Sequence, residues 1–306
     1  MHVDLRPLER GDLGAANRVL RDAFGAMLGE DTLGDTDPLG TRLAAGHVRG
    51  IGAFLSGVLV GSALVTRWGS VGFVGPLSVE PALWGRGIGS RLLGAVGGIL
   101  DGWGVTHRGL FTFAHSPRHH ALYQHFGYWP RFLTALMSSE IPAGLPRGTG
   151  WSVLSAQADG RAALAACAEL AEAVHPGLDL TAEIAALQAQ QLGDVVLVGD
   201  PARPDAFAIC HDGPGTEAGA GKAYVKFGAA RPGDHHAFAA LVRSCRGHAA
   251  AVGARLLVVG VNTARHDAYR HLGEAGFRTD VAGVTMHHGN AAGYDRPESY
   301  VLDDWR

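Results

Sequence analysis

Leu77-Ser78-Val79-Glu80-Pro81-Ala82-Leu83-Trp84-Gly85-Arg86-Gly87-Ile88-Gly89-Ser90-Arg91-Leu92-Leu93 joins a strand end, a glycine-rich turn and a helix start in one stretch. Pro81 stops the strand, and glycines at 85, 87 and 89 turn the chain. From Ile88 the apolar residues recur at helical spacing: Leu92, Leu93, Val96, Ile99, Leu100 and Trp103. Amides at a helix start, with glycines that admit an anion, suit a pyrophosphate. Glycine also serves turn geometry alone, so the cluster by itself is not decisive. The spacing is Gly-x-Gly-x-Gly, not the dinucleotide fingerprint Gly-x-Gly-x-x-Gly, and a strand meander precedes it in place of a parallel unit. No lysine follows the glycines, which excludes a P-loop.

Upstream, a short strand at Val3 to Arg6 precedes a helix that Asp12 can cap, with Leu13, Ala16, Leu20, Phe24 and Met27 on one face. An acidic loop, residues 30–38, leads to a short helix up to Gly46. The meander then runs from Ile51 to Leu55, Val58 to Thr66 and Val71 to Val79. Downstream, a strand from Gly109 to Phe113, a helix from Pro117 to Phe126 and a strand from Arg131 to Ser138 complete the first set.

Residues 141–150 hold two prolines and three glycines and read as a linker. Beyond it the order returns: a strand near Trp151, helical sequence from Asp159 to about Gln191, and strands at Val195, Ala206 and Ala223. A long helix through Phe238, Leu241 and Cys245 follows, then a strand from Arg255, a helix from Ala264 and a strand from Thr279 to His287. The repetition predicts an α/β (α+β) chain of two similar units, residues 1–140 and 151–306.

With 47% hydrophobic and 18% charged residues, the 306-residue chain has an ordinary globular balance and room for two cores. A net charge of -3 argues against a nonspecific nucleic-acid binder. No apolar run is long enough to span a bilayer, and no secretory signal is evident, so the cytoplasm is the expected location. Cys167, Cys210 and Cys245 are too scattered for a disulfide or zinc framework, and no metal is expected.

Leu77 to Leu93 closely resembles the acyl-CoA-binding motif of the GNAT superfamily of N-acyltransferases. Ser116-Pro117-Arg118-His119-His120-Ala121-Leu122-Tyr123-Gln124-His125-Phe126-Gly127-Tyr128 resembles that family's second motif, in the family's order. The resemblance implies two tandem GNAT-like domains, each a mixed, mostly antiparallel sheet flanked by helices. It also implies acetyl-CoA as acyl donor and a small-molecule primary amine as acceptor. By the same resemblance the donor is held by Leu77, Val79, Trp84, Gly85, Arg86, Gly87, Ile88, Gly89, Ser90 and Ser116. Trp84 stands where the family has Gln or Arg, and Ser116 where it has Asn. Val261 to Tyr269 echoes the second motif, but Ala230-Arg231-Pro232-Gly233-Asp234-His235 lacks the alternating glycines, which assigns the donor to the first half.

The family assigns carbonyl polarisation to a backbone amide, here around Val79, and protonation of the departing thiolate to a tyrosine, here Tyr123. A phenol with a pKa near 10 stays protonated at neutral pH, although tyrosines on amphipathic helices more often simply pack. The amine, with a pKa near 10.4, must lose a proton. By position Glu30, Asp31, Asp35, Glu80 and His115 qualify as base, and His115 has the most suitable intrinsic pKa. His119, His120 and His125 read as exposed or hydrogen-bonded. The carboxylates of the 30–37 loop either draw in a cationic amine or form a solvated surface. Two other functions compete: a catalytically silent acyl-CoA-binding or regulatory protein, and a protein or peptide N-acetyltransferase.

Overall fold

The computed structural model describes residues 2–29, 33–146 and 148–305. The first half runs β1 (Asp4–Pro7), α1 (Leu13–Leu28), α2 (Pro38–Leu43), β2 (Val48–Leu55), β3 (Val58–Trp68), β4 (Val71–Val79), α3 (Ile88–Gly102), β5 (His107–Phe113), α4 (Pro117–His125) and β6 (Tyr128–Glu140). The second runs β7 (Trp151–Val153), α5 (Gly160–Val174), α6 (Thr181–Gln190), β8 (Gly193–Asp200), β9 (Arg203–Asp212), β10 (Lys222–Ala230), α7 (His235–Ala251), β11 (Leu256–Asn262), α8 (His266–Glu274), β12 (Arg278–His288) and β13 (Val301–Leu302). The repeated order is present in the fold, a mixed and mostly antiparallel α/β arrangement.

The described strands form one continuous sheet in the order β1-β2-β3-β4-β5-β12-β6-β11-β10-β9-β8-β7, with β13 alongside β10. Here the structure departs from the expectation that each half completes its own strand set. The connection β5-α4-β6 crosses over and leaves a gap one strand wide. β12, from the second half, fills it, pairing antiparallel with β5 (Thr285 opposite Phe111) and with β6 (Ala282 opposite Ala135). Reciprocally, the crossover β11-α8-β12 leaves a gap that β6 fills, Val261 lying opposite Ala135. Each gap exposes two rows of unpaired N–H and C=O groups, and the exchange satisfies them.

The alanine-rich stretch from Asp159 to Gln191, expected to be helical, forms two helices. Pro176 cannot continue α5, and the break docks onto the first half: the Ser70 amide donates to the Gly177 carbonyl at 2.7 Å and the Ser70 hydroxyl to the Pro176 carbonyl at 2.7 Å. β13 was not expected from the sequence.

The apolar stripe read from Ile88 onward is the buried face of α3. Ile88, Leu92, Leu93, Val96 and Leu100 are each 1% exposed or less and pack on the meander with Val65, Val74 and Leu110. Burial of each such side chain contributes about 1.5–3 kcal/mol, which holds the preceding turn against the sheet. All three cysteines are buried and free. No helix among the described residues is long and apolar enough to cross a membrane.

Candidate active site

β4 and β5 pair in parallel only from Val71 to Val74 against His107 to Leu110. Beyond that point they part, and an open cleft of about 830 Å³ lies between them. Leu77, Val79, Trp84, Gly85, Gly87, Ile88, Gly89 and Ser90 line one side, and His115, Ser116 and His119 the other. Of the residues expected to hold the donor, the structure brings together all but Arg86, which is exposed and outside the lining.

Gly85 and Gly87 have φ of +78° and +79°, a backbone region that costs any residue with a Cβ, which explains why glycine stands at both. Gly87 is the N-cap of α3, and no side chain caps the helix. The first-turn amides, which have no intrahelical acceptor, therefore open toward the cleft. Trp84 acts structurally, since its indole N–H donates to the Val79 carbonyl at 2.7 Å and fastens the turn to the end of β4. The Arg118 guanidinium lies 5.3 Å from the centre of its ring, joining the two lips of the cleft.

Tyr123 is buried on α4 and lies deeper than the cleft, in the lining of an inner cavity of about 280 Å³. Burial pushes its pKa up to about 12, against a hydrogen bond with Thr112 that works the other way, so its proton is retained at neutral pH. Cleft and cavity meet at Phe24, Leu77, Phe113 and His119. His115 is exposed and lines only the cleft.

His119, which the sequence reads only as an exposed or hydrogen-bonded histidine, stands at the junction of cleft and cavity. It is half-buried where cleft and cavity join, its Nδ1 is 2.6 Å from the Ser116 hydroxyl, and its ring stacks toward Tyr123 at 6.4 Å. Burial, then the adjoining Arg118, His120 and His115, hold its pKa below the usual histidine value, leaving it neutral and able to accept a proton at pH 7. The available signal was its spacing: His119 precedes Tyr123 by one helical turn on the same face.

In the acidic loop, Glu30 and Asp31 lie outside the described residues. Asp35 accepts from the Ala220 amide at 2.9 Å, and Asp37 caps α2 through the Gly40 amide at 2.9 Å. Both carboxylates thus serve the fold, Asp35 by docking the loop onto the second half. Glu80 sits at the end of β4, outside the cleft lining.

The second half builds the same divergence and fills it. β10 and β11 pair in parallel from Lys222 to Val225 against Leu256 to Val259. Past these residues β13 enters, pairing Leu302 with Gly228 and Val301 with Ala229, and the Asp303 amide donates to the Gly260 carbonyl at 2.8 Å. The buried Arg265 guanidinium holds this tail through the Val301 and Asp303 carbonyls at 2.9 and 3.0 Å. At the start of α7 the Asp234 carboxylate accepts from the Ala237 amide at 2.8 Å. That helix start already carries its own anion.

Residues 19–128 match the Acetyltransferase (GNAT) family. No curated protein matches the chain. Among solved structures, a candidate acetyltransferase from Pyrococcus horikoshii shares the fold with a TM-score of 0.72 at 15% identity, over 99% of this chain and 95% of that one. A GCN5-related N-acetyltransferase from Sphaerobacter thermophilus gives a TM-score of 0.60 at 19% identity, over 93% and 95% of the two chains. A tandem GNAT protein from the clavulanic acid biosynthesis pathway gives 0.59 at 14% identity, over 94% and 98%. At these identities the likeness is one of fold.

Proposed function

We propose that the first half, whose residues 19–128 match the GNAT acetyltransferase family, moves an acetyl group from acetyl-CoA to a primary amine of a small molecule. The observation that carries this reading is the contrast between the halves. The divergence of β4 and β5 is open and ends on an uncapped glycine turn, whereas that of β10 and β11 is filled by β13 and ends on a helix capped by Asp234.

The amides from Gly87 to Ser90 would receive the pyrophosphate, and the glycines let it approach the backbone. The thioester would then reach inward along Leu77 to Val79, with its carbonyl near the backbone at Val79. The acceptor amine would enter from the inner cavity. His119, in place of the exposed His115, would take the amine's proton. Tyr123 would give its hydroxyl hydrogen to the departing sulfur. Burial of the reacting groups strengthens each of these contacts by excluding water.

The test is thiol release from acetyl-CoA, followed in parallel with amide formation across a panel of primary amines. Stoichiometric release of thiol and acetylated amine is expected. Tight binding of acetyl-CoA without turnover on any amine would support the silent acyl-CoA-binding reading instead.

A further inference from the structure

The inner cavity has a chemistry that neither the glycine turn nor the proposed catalytic groups account for. Its first-half walls are mostly apolar, with Leu20, Phe24, Val74, Phe111 and Leu136 among them. The second half contributes Ala218, Tyr224, Val258, Val281 and Trp305. Val281 reaches the cavity only because β12 is exchanged into the first half's sheet.

Several of the polar groups there are already engaged. Glu217 is the only carboxylate among the described lining residues. Arg42 donates to it through Nε at 3.1 Å, and Lys226 donates to it at 2.5 Å. The Tyr224 hydroxyl donates to Asp304 at 3.1 Å, and the Thr36 hydroxyl to the Leu33 carbonyl at 2.6 Å. Among the described lining residues a second ammonium group would find no other carboxylate to receive it, and it would face the cations Arg42 and Lys222.

We infer that the acceptor is a monoamine on an apolar, ring-sized body, such as an aralkylamine, and that the second half supplies part of its binding wall. This rests on the N-acetyltransferase reading. The volume fits: an apolar cavity of about 150 Å³ admits a benzene ring, and this one holds about 280 Å³. The amine lies at the mouth beside His119 and Tyr123, and the ring occupies the interior. Burial penalises the ammonium form, which favours release of its proton to His119 at the mouth and leaves the neutral nucleophile.

The experiment compares kcat/KM at saturating acetyl-CoA for phenethylamine, tryptamine, spermidine and an aminoglycoside, with the intact protein and with Val281→Phe. The aralkylamines are expected to exceed the polycations by at least tenfold. Val281→Phe, placed on β12 away from the glycine turn, should lower the aralkylamine value by at least tenfold while leaving acetyl-CoA affinity unchanged. Preference for spermidine or the aminoglycoside would overturn the inference and leave the transferase reading standing. An unchanged aralkylamine value in a folded Val281→Phe would overturn the second half's part in it. Acetylation of no amine at all would overturn the transferase reading, and this inference with it.

Discussion

Tyr123 is a buried core residue for which a chemical role is proposed. Its ring is buried among Leu93, Val96 and Met286, so packing alone would account for a tyrosine there. Yet Tyr123 also lines a cavity, and its ring stacks toward that of His119 with centroids 6.4 Å apart. Burial pushes the Tyr123 pKa up to about 12, so it keeps its proton at neutral pH. Tyr123→Phe keeps the ring and removes the hydrogen. The single-turnover rate of acetyl transfer should fall about 10²–10⁴-fold, the usual worth of a general acid, with acetyl-CoA affinity little changed. Single-turnover measurement is required because slow product release can hide a slower chemical step. Transfer at the parent rate would make Tyr123 a packing residue and place the proton donor elsewhere.

At the scale of elements, the site depends on contacts between parts of the chain far apart in sequence. Arg42 on α2 meets Glu217, in the loop before β10, and Lys226 on β10 in a buried charged trio. Although burial opposes ionisation, Arg42 and Lys226 hold the Glu217 carboxyl well below the ordinary carboxylate range. Glu217→Gln removes the charge that compensates Lys226, and loss of one partner of a buried ion pair costs about 3–5 kcal/mol. Urea unfolding should show a midpoint lowered accordingly, and an unchanged midpoint would mean that the trio is not what joins these elements. None of this was legible in the sequence, where the three residues are unremarkable singly. The glycine turn, the face of α3 and the α4 motif were legible because each is a local pattern of spacing. The exchange of β6 and β12 was not, since each reads correctly as a strand and strand periodicity is silent about neighbours. β13, at two residues, is too short to show a period. Pro176-Gly177 marks the break between α5 and α6 within the alanine-rich stretch.

Across the whole molecule, two copies of one element order have reached different ends. In the first, β4 and β5 diverge around open space and α3 begins on bare amides. In the second, the tail occupies the divergence, anchored by Arg265, Asp295 and Asp303, and α7 begins on its own carboxylate. The exchange of β6 and β12 then ties the second unit to the first, where it completes the sheet beside β5 and walls the inner cavity. The second half is thus a structural partner of the site and carries no donor cleft of its own among the described residues. Isothermal titration of the intact chain with acetyl-CoA tests this asymmetry most directly. The account predicts saturation at one molecule per chain; two equivalent sites, or no binding, would contradict it.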